Sequence, residues 1–199
     1  MPIEIEVKFL NVDIDDVRKR LSEIGGVLEH PMRLMRRDQL DTADEHYKKS
    51  RYAERLRIRD EGDKITITYK SHTKDSPYPV ELETTIGSYD DAKQLLKAIG
   101  FHSFSYQESK RETWHLDDVE VVIDEWPWAK PYIEIEGENE RSLKVAAEKL
   151  GFDWEDRRFG SADTVYREEY PKMTPEDSIG DVAEVKFELP VPQYLKDRL

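Results

Sequence analysis

Cysteine is absent from all 199 residues of the chain. Disulfides, thiolate metal sites and cysteine nucleophiles are excluded together. Positive charge is in deficit: 31 Lys and Arg stand against 44 Asp and Glu, for a net charge of −13. That balance repels nucleic acid and anionic membranes, so neither is expected as a partner. No apolar run reaches the length of a membrane span, and the N-terminus MPIEIEVK lacks the basic and apolar regions of a signal peptide. A soluble cytoplasmic protein is the expectation. There is no G-x-x-x-x-G-K-[ST] loop and no G-x-S-x-G elbow, which excludes a P-loop phosphate site and a hydrolase nucleophile elbow. The five histidines, His30, His46, His72, His102 and His115, show no metal-ligand spacing and are read as surface or core residues.

Charge itself is abundant. Charged residues make up 38% of the chain, well above the usual quarter, beside 37% hydrophobic and 10% aromatic residues. The aromatic content and regular apolar patterning argue against disorder, so the charge must sit on organised structure. The length suits one domain over residues 1–199.

Three amphipathic helices are predicted. Residues 13–24 carry the stripe Ile14, Val17, Leu21 and Ile24, with Asp13 as N-cap and Gly25 as stop. Residues 89–99 carry Ala92, Leu95, Leu96 and Ile99 between Ser88 and Gly100, and residues 140–150 carry Leu143, Ala146, Ala147 and Leu150 before Gly151. Strands alternate with them: IEIEVKF (3–9), RLRIR (55–59), ITITYK (65–70), VELET (80–84), SYQESKRETW (105–114), VEVVID (119–124), YIEIEG (132–137) and AEVKFEL (183–189). MRLMRRDQLDT (32–42), with Arg33, Arg36 and Arg37, reads either as a further strand sending Arg33 or Arg37 inward or as an edge strand with solvated arginines.

Nearly every strand has one charged face and one apolar face. Helices can cover the apolar faces. A sheet closed on itself gathers the charged faces in a lumen and removes exposed edges, so a β-barrel with the helices outside is expected. A solvated face of crossed ion pairs is the bland alternative, each pair worth at most about 1 kcal/mol. It would mix signs within strands, whereas RLRIR is all arginine and IEIE and YIEIE are all glutamate.

The inward acids are Glu4, Glu6, Glu81, Glu83, Asp124, Glu134 and Glu136; the inward bases are Lys8, Arg55, Arg57, Arg59, Lys70, and Lys110 or Arg111. Oxygen-only donors suit hard cations such as Mg²⁺ or Mn²⁺. Guanidinium forks suit phosphates. A polyphosphate with its metal needs both, a triphosphate carrying roughly −4 near neutral pH.

IEIEVK resembles the ExExK signature of the CYTH superfamily, the triphosphate tunnel metalloenzymes, named for class IV adenylate cyclase and thiamine triphosphatase. RLRIR is similar to the LRxR element of that family, ITITYK to its TxK, VELE to its ExE, and ESKRETW with VVIDEWPWAKPYIEIEG to its basic strand, Asp strand and closing EIEG. The resemblance spans residues 2–170, with 171–199 as a C-terminal extension in which AEVKFEL supplies a last strand with Lys186 inside. It implies an α+β fold: a closed eight-stranded antiparallel β-barrel, the triphosphate tunnel, with helices outside. It implies metal on Glu4, Glu6, Asp124, Glu134 and Glu136, and phosphates on Lys8, Arg57, Arg59, Lys70 and Arg111. Arg55 is an extra to the pattern. Where members often carry KxR, this chain reads Ser109, Lys110, Arg111, with Lys110 able to point outward.

Three functions are set against one another: a Mg²⁺- or Mn²⁺-dependent triphosphatase acting on inorganic triphosphate, ATP or thiamine triphosphate; a class IV adenylate cyclase; and a non-catalytic polyphosphate binder. Hydrolysis ranks first because it asks only for a water, with Lys70 polarising the attacking or leaving oxygen. Trp126 and Trp128 are expected to pack, the alternative being the tunnel mouth. Tyr47 and Tyr52 are expected to pack, the alternative being a stack on a nucleobase. A homodimer is left open.

Overall fold

The computed structural model describes residues 5–50, 54–71, 78 and 80–199. Strand β1 (Ile5–Phe9) leads into helix α1 (Ile14–Glu23). Then come β2 (Val27–Thr42), β3 (Arg55–Asp60), β4 (Ile65–Ser71) and β5 (Val80–Thr85). Helix α2 (Tyr89–Ala98) precedes β6 (Phe101–Leu116), β7 (Val119–Glu125) and β8 (Tyr132–Gly137). Helices α3 (Glu140–Lys149) and α4 (Ala162–Glu169), the two-residue β9 (Glu184–Val185) and the short α5 (Gln193–Lys196) complete the order.

The eight main strands form one curled sheet in the order β1-β8-β7-β6-β2-β3-β4-β5, every neighbouring pair antiparallel. The curled eight-stranded antiparallel sheet with helices outside is the α+β fold expected from the sequence. Among the described residues, no ladder joins β1 to β5. The free edge of β1 is instead met by the chain at Arg158, which exchanges two backbone hydrogen bonds with Lys8 at 2.9 and 2.8 Å. The next residue, Phe159, packs edge-on against Tyr78, just ahead of β5.

Period-two alternation decides which side chains face where. On β1, Val7 and Phe9 are buried on the outer face, in one cluster with Val17 and Leu21 of α1 and Leu143, Ala146 and Ala147 of α3. Val121 and Ile123 of β7 and Ile133 and Ile135 of β8 complete that layer. Helix α2 covers the other flank through Tyr89 and Leu96 against Leu40 and Ile58. Helices α1, α2 and α3 each start where a side chain accepts from free N–H groups of the first turn: Asp13, Ser88 and Asn139. Gly25, at φ 89°, takes the left-handed conformation just past α1.

The 16-residue strands β2 and β6 form the spine of the sheet. The arginine-bearing stretch 32–42 is therefore a strand in the body of the sheet. Pro31 lies inside β2 where the register shifts between His30 and Arg33, which is where a strand tolerates a residue without an N–H. The tail differs from expectation. Helices α4 and α5 are not among the elements expected from the sequence, and β9 is two residues long and parallel to β6. Strand β7 pairs β6 only from Lys110 to Leu116, and β9 takes the edge left open at Tyr106 and Gln107. Among the described residues, no helix is long and apolar enough to cross a membrane.

Candidate functional site in the tunnel

The inner faces of the strands line a cavity of about 1830 Å³. One wall is acidic. Strand pairing sets Glu6 opposite Glu136 and Lys8 opposite Glu134 across β1 and β8, and brings Asp124 in on β7. The facing wall is basic: Arg111 from β6, Arg33 and Arg37 from β2, Arg55, Arg57 and Arg59 from β3, and Lys70 from β4. Glu81 and Glu83 of β5 follow, beside Lys70 and Thr68.

Two cations stitch the acidic wall. Lys8, 2% exposed, lies 2.8 Å from Glu6 Oε1 and 3.0 Å from Glu134 Oε1. Burial works against its charge, but Glu134 and Glu6 more than offset that and hold its ammonium above the ordinary range. Arg111 grips Asp124 with two donors at 2.7 and 2.6 Å and reaches Glu134 at 2.8 Å. Burial works against the Glu134 carboxylate, yet Lys8, Arg111 and Lys70 together hold its carboxyl well below the usual range. Lys70 belongs to β4 and Glu134 to β8, so this influence acts across the lumen.

The basic wall is short of acceptors. Arg59 pairs with Glu61, and Arg33 reaches the same carboxylate at 3.7 Å. Arg57 lies 3.9 Å from both Glu81 and Glu83, and Lys70 binds Glu81 at 2.6 Å. The Nε donors of Arg37, Arg55, Arg57 and Arg59 are buried with no hydrogen-bond partner among the described residues. Burial, then crowding by Arg57 and Arg111, lowers the proton affinity of Arg59 to about 10, so it remains charged at neutral pH. Buried donors without acceptors beside crowded positive charge fit an anion.

The acidic wall offers oxygen donors only, which fits a hard divalent cation, with Lys8 and Arg111 paired to Glu6, Asp124 and Glu134 in this structure. Glu4 lies outside the described residues, as do His72 and Tyr52. Lys110 is on the outer side of β6, near Glu125 and over the ring of Phe187. The expectation for Lys186 is corrected: it pairs with Glu184 at 2.7 Å and lies over Tyr106, outside the cavity. Gln107 lines the cavity, so its neighbour Tyr106 faces out, and β9 pairs with both at the edge of β6. Trp126 lines the cavity, whereas Trp128 packs outside it and donates to the Leu189 carbonyl. Tyr47 lines the cavity too, stacked on Phe101.

Sequence spacing could not find one group. Glu29, His115 and Glu120 bring ligand atoms within 4.8 Å of one another at one end of the cavity. They come from three adjacent strands, so only the pairing of β2, β6 and β7 unites them. His115 already binds Glu29 at 2.8 Å.

The model of one family, the CYTH domain, matches residues 2–170. A search of curated proteins returns no significant match. Several solved structures share the fold. The protein PH1012 from Pyrococcus horikoshii is 22% identical, with a TM-score of 0.66, over 81% of this chain and 98% of that one. A candidate adenylate cyclase from Vibrio parahaemolyticus is 14% identical, with a TM-score of 0.69, over 82% and 97%. A candidate adenylyl cyclase from Hippeastrum, described as having a dominant triphosphatase activity, is 17% identical, with a TM-score of 0.56, over 89% and 99%. With an acidic wall facing a basic wall inside a curled antiparallel sheet, and the family model spanning all eight strands, the chain belongs to the CYTH family.

Proposed function

We propose that this chain is a divalent-metal-dependent triphosphatase that binds the phosphate chain of its substrate inside the tunnel. The observation that carries the reading is the pairing of walls: carboxylates on β1, β7 and β8 face arginines on β2 and β3, and the Nε donors of Arg37, Arg55, Arg57 and Arg59 have no acceptor among the described residues. A pure anion binder has no use for the carboxylates, and a pure cation binder has none for the arginines.

Arg57, Arg59, Arg111, Lys8 and Lys70 grip the phosphate oxygens, with Arg55 as an additional contact. A cation such as Mg²⁺ or Mn²⁺, held by Glu4, Glu6, Asp124, Glu134 and Glu136, supplies neutralisation of the charge on the reacting phosphoryl group when bound. Water attacks the terminal phosphorus, the bridging P–O bond breaks, and orthophosphate leaves one side while the shortened phosphate chain leaves the other. Lys70, already anchored by Glu81 and acting across the lumen on Glu134, donates to the attacking or leaving oxygen. Arg57, between Glu81 and Glu83, exchanges weak 3.9 Å contacts for charge-assisted bonds to phosphate.

Two variants test this. Glu136→Gln should lower turnover of inorganic triphosphate at least about 100-fold, the scale on which one electrostatic group of an active site registers, and leave the melting temperature unchanged. Arg57→Ala should weaken triphosphate far more than orthophosphate in calorimetry. Unaltered turnover in the first, or equal losses for both anions in the second, contradicts the assignment. The cyclase reading uses the same walls with a ribose hydroxyl as nucleophile, and its products tell it apart.

A further inference from the structure

Arg37 is 6% exposed, deep in the basic wall. It lies opposite Arg59 on one neighbouring strand and Gln107 on the other. Two contacts fix its guanidinium. One terminal nitrogen donates to Ser109 Oγ, and the group lies 4.5 Å from the ring centre of Trp126. Ser109 is small and buried, which leaves room above β6 for a side chain from β2. Trp126 is itself wedged in place: Tyr166 of α4 packs edge-on against it and donates to the Pro127 carbonyl at 2.7 Å.

No carboxylate among the described residues stands within ion-pair distance of Arg37, and its Nε has no acceptor. Its surroundings are adverse: burial first, then Arg59, Arg57 and Arg111, lower its proton affinity to about 9. A rigidly seated, poorly compensated guanidinium in the wall of a cavity is costly unless an anion completes it. Stacking on an indole while leaving planar donors free is how arginine presents a fork to phosphate.

We propose that Arg37 is a phosphate-binding residue of the tunnel, seated by Ser109 and Trp126, and that the packing of α4 beneath Trp126 is what holds the seat. This rests on the triphosphate reading. Strand pairing sets Arg37 opposite Arg59, with Arg57 two residues along β3, so one phosphoryl group meets donors from two strands.

The test is a calorimetric titration of the full chain with inorganic triphosphate, first in chelator so that nothing is turned over, then with Mg²⁺ at low temperature. Arg37→Gln should bind about 10- to 100-fold more weakly, the range expected for a lost charge-assisted pair of bonds. Arg37→Lys keeps the charge but not the fork or the stack, and should fall between. Arg36→Gln, on the outer face beside Asp60, should bind as wild type. Wild-type affinity in Arg37→Gln overturns the inference while the triphosphate reading stands. A wild-type protein that takes no triphosphate in either condition overturns the reading and the inference with it. Should Arg37→Gln not fold, tryptophan emission of the unaltered protein decides. Saturating triphosphate should shift it, and Trp126→Phe should remove the shift; emission indifferent to bound triphosphate overturns the proposal.

Discussion

Glu134 is the most heavily contested side chain of the tunnel. Lys8 approaches it from β1, Arg111 from β6 and Lys70 from across the lumen. Its folded carboxyl titrates below its ordinary 4.5, so the sign is fixed. The unfolded chain takes up a proton first as pH falls. The stability due to this group is whole above 4.5 and drains away as pH drops below it. Urea unfolding followed from neutral pH to below 4.5 should show the midpoint falling, and Glu134→Gln should flatten that part of the fall. A variant as pH-sensitive as wild type would show that the three cations do not act on Glu134 as described. The same residue shows how the acidic wall tolerates crowding: Lys8, Arg111 and Lys70 favour the ionised form of Glu134.

At the level of elements, alternation in the strands and stripes in the helices do separate jobs. Leu21 of α1 is fully buried against the outer face of the sheet. Leu21→Ala should cost about 2–5 kcal/mol, read as a lower urea midpoint with the slope unchanged. Loss below 1 kcal/mol would mean that α1 does not help hold the sheet in its curl. These elements were legible because each carries its own period: IEIEVKF, RLRIR and YIEIEG alternate, and 13–24, 89–99 and 140–150 are striped and capped. The tail was not legible for the converse reason. Helix α4 buries Val165 and Tyr166 only because Trp126 and Tyr132 wait beneath, a fact of tertiary packing absent from local spacing. AEVKFEL alternates as a strand should, yet only Glu184 and Val185 pair with β6, so most of it does not pair and Lys186 stays outside. The charged faces of β1, β3, β4 and β8 were readable strand by strand. The inward turn of Arg33 and Arg37 was one of two readings left open, and the meeting of Glu29, His115 and Glu120 was not readable, because each depends on which strands become neighbours.

At the scale of the whole molecule, the tail is part of the structure that surrounds the site. Met173, Ile179, Val185 and Leu195 join Tyr166 and Tyr170 in a core that reaches Trp126 and Tyr132 at the tunnel wall. Lys48, in the connection after β2, is tied at 2.7 Å to Asp181 in the tail, and both line the cavity. Leu195→Ala, at a fully buried position, should cost about 2–4 kcal/mol and lower the melting temperature, though Leu195 lies far along the chain from every proposed ligand. An unchanged melting temperature would show the tail to be a separate appendage.

The central claim is that the paired walls hydrolyse a triphosphate. Phosphorus NMR of the full chain with inorganic triphosphate, ATP and thiamine triphosphate, each with Mg²⁺ and then Mn²⁺, addresses it most directly. Orthophosphate accumulating with the metal, and not in chelator, is the predicted result, with the fastest substrate naming the class. Pyrophosphate and cyclic AMP from ATP, or no consumption of any of the three, would contradict it.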